Sequence, residues 1–144
     1  MGEYPNVSSR VTCVVDLFGP TDLLTMGGGH NSIESFLGGQ IQENEDAARN
    51  ASPITFVSMD DPPFMLIHGM KDQADSERMH AALQRVQVQS VLIPIVGSEG
   101  RLGTPNTKDE TRQVAERMRQ FFDKHLLGKD VVVSAEPINP KKGQ

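Results

Sequence analysis

The sequence predicts an α/β fold built on a three-stranded parallel sheet with flanking helices, and three features carry that prediction. Short β-branched, apolar runs alternate with segments of helical period. Each run is nearly continuous in apolar character, as strands buried on both faces of a parallel sheet are. Turn residues follow the runs: Gly19-Pro20 after the first, His68-Gly69 after the second and Gly97 after the third. Strands separated by helices join through right-handed crossovers, which makes the sheet parallel.

Residues 8–17, Ser-Ser-Arg-Val-Thr-Cys-Val-Val-Asp-Leu, read as the first core strand. Residues 23–39 hold Gly27-Gly28-Gly29 and Gly38-Gly39 with Ile33, Phe36 and Leu37 scattered between, a composition expected of a surface loop with one helical turn. The charged, alanine-containing residues 43–50 read as a short helix, closed at Ala51-Ser52-Pro53 because proline disfavours the α conformation in the residue before it. Pro62-Pro63 then delivers the chain into Phe64, Met65, Leu66 and Ile67, a run too brief for a buried helix and therefore the expected central strand.

Asp75 or Ser76 is the expected cap of the next helix, whose inward face is Met79, Ala82, Leu83 and Val86. Residues 90–96 are the third strand, and Pro94 within them places it at an edge. Thr107-Lys108-Asp109-Glu110 matches a capping box, after which Val114, Met118, Phe121, Phe122 and Leu126 repeat on one face up to Gly128. Residues 1–128 are thus the expected domain. Residues 129–144, with Pro137, Pro140, Lys141, Lys142 and Gly143, are the expected flexible tail.

The 144 residues are sized for one domain, and a net charge of -5 provides no broad basic field, so nucleic acid is not an expected partner. Cys13 stands alone, which excludes an internal disulfide and a thiolate-rich metal site, and no metal or cofactor is expected. No apolar run approaches the ~20 residues of a membrane span, and residues 1–5 carry neither the basic nor the apolar segment of a signal peptide. The expectation is a soluble protein with no membrane partner, cytoplasmic if Met1 is the natural start.

His68, Gly69 and Asp72 follow the central strand, at the end of a parallel sheet where open α/β folds hold their ligands. Asp72 therefore stands where chemistry would sit, and a carboxylate there could equally serve the start of the next helix. His68, at the end of a buried strand, reads as a satisfied structural histidine, and His80 and His125 as helix positions at exposed or boundary sites. Nothing aims His30, in its glycine-rich loop, at a site. Cys13 reads as a small buried filler. Ser98, in Val96-Gly97-Ser98-Glu99-Gly100, imitates a nucleophile turn without the glycine two residues before it, and reads as a turn residue. Gly97, Gly100 and Gly103, with Arg101 and Lys108 nearby, could cradle a phosphate or nucleotide, although the spacing is not Gly-x-Gly-x-x-Gly.

The order of Ser8-Ser9-Arg10-Val11, Phe18-Gly19-Pro20-Thr21-Asp22, Ala51-Ser52-Pro53-Ile54, Asp61-Pro62-Pro63-Phe64, His68-Gly69 with Asp72, and Phe121-Phe122-Asp123-Lys124-His125-Leu126 resembles the carboxyl-terminal half of the α/β-hydrolase fold. The likeness is to its esterase/lipase and acyl-peptidase-like branch and spans about residues 7–127. The resemblance implies that Asp72 occupies the position of the acid in a Ser-His-Asp triad. The sequence departs from the family in lacking a Gly-x-Ser-x-Gly elbow, in having no histidine in the loop after the third strand, and in running from Asp72 almost directly into the next helix. Serine needs a base to take its proton, and the acid acts by orienting that base.

The expectation is therefore a carboxylic-ester hydrolase relative that is inactive alone, the alternative being a working hydrolase completed by a partner chain. The family fold also pairs the first strand on both sides. An open edge at residues 11–17 would invite either a second copy, giving a homodimer, or a missing amino-terminal half.

Overall fold

The computed structural model describes residues 6–26, 31–70, 73–97 and 107–139. Three parallel strands, β1 (Val14–Leu17), β2 (Phe64–His68) and β3 (Ser90–Pro94), lie in the order β1-β2-β3. Val14 is level with Phe64 and Phe64 with Ser90. The expected three-stranded parallel sheet is present, with β2 at its centre and its Met65, Leu66 and Ile67 buried.

The first strand is shorter than residues 8–17. Its ladder begins where the Val14 N–H reaches the Pro63 carbonyl at 2.9 Å. Farther back the neighbouring segment carries Pro62 and Pro63, which have no N–H to give, and Ser8, Ser9 and Arg10 are exposed. The strand ends in a sharp exit. Phe18 is buried in the left-handed region at φ 57°, and the Asp16 carboxylate accepts the Gly19 N–H at 2.8 Å. A Cβ on Gly19 would lie 2.2 Å from that same oxygen, so glycine is required by close approach.

Between β1 and β2 the chain forms α1 (Asn31–Leu37) and α2 (Glu45–Ala51). Gly27, Gly28 and Gly29 of the expected surface loop lie outside the described residues, and its described part packs against a small core. Leu23, Ile41 and Ala48 are buried together, with Ile33 and Leu37 packed against them. Ser52 fastens this unit, donating to the Ala48 carbonyl and accepting from the Leu23 N–H.

The long helices take opposite faces of the sheet. Helix α3 (Gln73–Arg85) places Met79 and Leu83 on Leu66, with Val86, Val88, Ile54 and Val57 completing that layer. Helix α4 (Lys108–Leu127) places Val114 and Phe121 on Met65, Ile67 and Ile93. The Thr107 hydroxyl accepts the Glu110 N–H at 3.0 Å, and Gly128 closes the helix at φ 63°. Both expected caps of α4 are thus present.

The expected cap of α3 is not: the helix already runs at Gln73, and Asp75 is its third residue. The expected tail is corrected for residues 129–139. Ile138 is fully buried in the α4 layer and bridges Ile95 in parallel, donating to the Pro94 carbonyl and accepting from the Val96 N–H. Ile95 donates toward β2, at the His68 carbonyl. The Pro94 nitrogen therefore faces the outer side of β3, where its missing N–H interrupts no bond to β2.

Candidate functional site

The carboxyl ends of β1 and β2 meet at one polar cluster. Leaving β1 through Gly19-Pro20, the chain presents Thr21, whose N–H and hydroxyl donate to Asp75 Oδ2 at 2.6 and 2.9 Å. The other carboxylate oxygen accepts from Arg78 Nη2 at 3.0 Å. Arg78 also donates to the Thr25 hydroxyl and lies 3.5 Å from Asp22. Thr21 and Asp75 are buried, so the carboxylate is held by three donors away from bulk water. Asp75 sits in the first turn of α3, where a negative charge is favoured by the helix dipole. The cluster therefore ties the exit of β1 to the start of α3.

His68, 3 % exposed, ends β2 with Nδ1 2.9 Å from the Gly69 carbonyl. This is the satisfied structural histidine expected of that position. Asp72, the position implied as a triad acid, lies outside the described residues, between Met70 and Gln73 in sequence. His30, Ser98, Gly100, Arg101 and Gly103 also lie outside them. Gly97 closes the described part of that loop at φ 73°, and Lys108 opens α4.

The remaining candidates are not brought together. Cys13 packs in the α4 layer, where burial pushes its thiol pKa up and leaves it a poor nucleophile. His80 joins α3 to β3: Nδ1 lies 2.9 Å from the Ser90 hydroxyl and Nε2 3.0 Å from the Gln84 side chain, and burial lowers its pKa. His125 lies against the Phe121 ring at 4.5 Å, and burial, aided by Lys124, lowers its pKa. Among the described residues no group of three or more His, Cys, Asp or Glu could hold a metal ion, and no helix is long and apolar enough to cross a membrane. Sequence reasoning missed the Thr21–Asp75–Arg78 cluster, whose only signal was Thr21-Asp22 beside a proline turn.

The architecture is that of an esterase-like α/β-hydrolase domain, present in part. The BD-FAE family model matches residues 1–85, and the chain belongs to that family. The chain is similar to a solved structure described as a bifunctional GH43-CE from Bacteroides eggerthii, at 30% identity and a TM-score of 0.69, covering 86% of this chain and 17% of that one. It is also similar to a truncated form of a carbohydrate esterase from gut microbiota, at 29% identity and a TM-score of 0.57, covering 66% of this chain and 37% of that one. The chain thus spans well under half the length of either. No curated protein matches it.

Proposed function

We propose that this chain is the acid-bearing, carboxyl-terminal part of a carbohydrate-esterase-like hydrolase domain and does not hydrolyse esters by itself. The family match carries this reading: residues 1–85 include the β1 exit, the His68-Gly69 strand end and Asp72. The solved structure described as a truncated carbohydrate esterase supports an ester borne on a carbohydrate as the substrate class.

In this reading Asp72 is the triad acid, and the Thr21–Asp75 link fixes the first turn of the helix that follows it in sequence. Its work is to orient a histidine and stabilise the imidazolium that forms when that histidine takes a serine proton. The chain has no Gly-x-Ser-x-Gly segment, and the loop at residues 97–103 has no histidine, so both groups must come from another segment or chain. Losing one triad member lowers the rate by several orders of magnitude, and here two are wanting.

The test is hydrolysis of p-nitrophenyl acetate and of an acetylated oligosaccharide by the purified chain. The proposal expects no turnover above buffer. Turnover that is lost in Asp72→Ala would replace it with the second reading, in which a partner chain completes the site.

A further inference from the structure

We draw no further inference here: the strongest candidate, the apolar groove on α4 lined by Met118, Phe122, Leu126 and Leu127, carries nothing because nothing in the structure shows what covers it.

Discussion

Thr21 and Asp75, 54 residues apart in sequence, share one carboxylate oxygen: the Thr21 backbone N–H and hydroxyl both donate to Asp75 Oδ2. The pair binds the end of one strand to the start of the helix that follows the next.

Replacing Asp75 with alanine leaves those two buried donors and the Arg78 guanidinium without their acceptor. The expected loss is about 2–4 kcal/mol of stability, read as a lower urea midpoint. Asp75→Asn keeps an acceptor oxygen and should lose less. A shift below about 0.5 kcal/mol in the alanine variant, the range of an ordinary surface change, would show that the cluster is not structural.

Ile138 is fully buried and bridged to Ile95, so the segment after α4 belongs to the core. Ile138→Ala should cost about 2–4 kcal/mol, and the amides of Ile138 and Val96 should exchange slowly with solvent. Fast exchange at both positions would return this segment to the status of a tail.

The strand order, the central strand and the last helix were readable because local chemistry decided them: Pro62-Pro63 before a four-residue apolar run, and Thr107 with Glu110 before a helical stripe. The tail was misread because Pro137, Pro140 and two lysines outweigh one isoleucine in composition, whereas burial of Ile138 depends on a docking site that only the folded sheet creates. The cap of α3 was misplaced for a related reason. Asp75 has the chemistry of a cap, but Thr21 claims its carboxylate, and a partner 54 residues away leaves no local pattern. Asp72 was legible from its place after the central strand and from the family motif, and it lies outside the described residues.

Thr107 caps the helix whose inner face completes the core. Thr107→Ala removes the acceptor of the Glu110 N–H and should cost about 1 kcal/mol, seen as a lower thermal midpoint. No change would mean that the first turn of α4 contributes little.

Acid should weaken the fold through two imidazoles. Burial holds His80 and His125 below the ordinary value of 6.5, so the unfolded chain binds protons there that the folded chain does not. Their contribution is intact above pH 6.5 and declines as the pH falls below it, levelling off once the folded-state rings also protonate. His80→Gln should flatten part of that slope in urea titrations. An unchanged slope would place the effect elsewhere.

Ester hydrolysis by the purified chain, wild type beside Asp72→Ala, decides between an inert acid-bearing part and a working hydrolase. Turnover of p-nitrophenyl acetate is expected at the buffer rate for both, since a carboxylate with no imidazole to orient activates no hydroxyl. Clear turnover by the wild type that vanishes in Asp72→Ala would contradict that expectation.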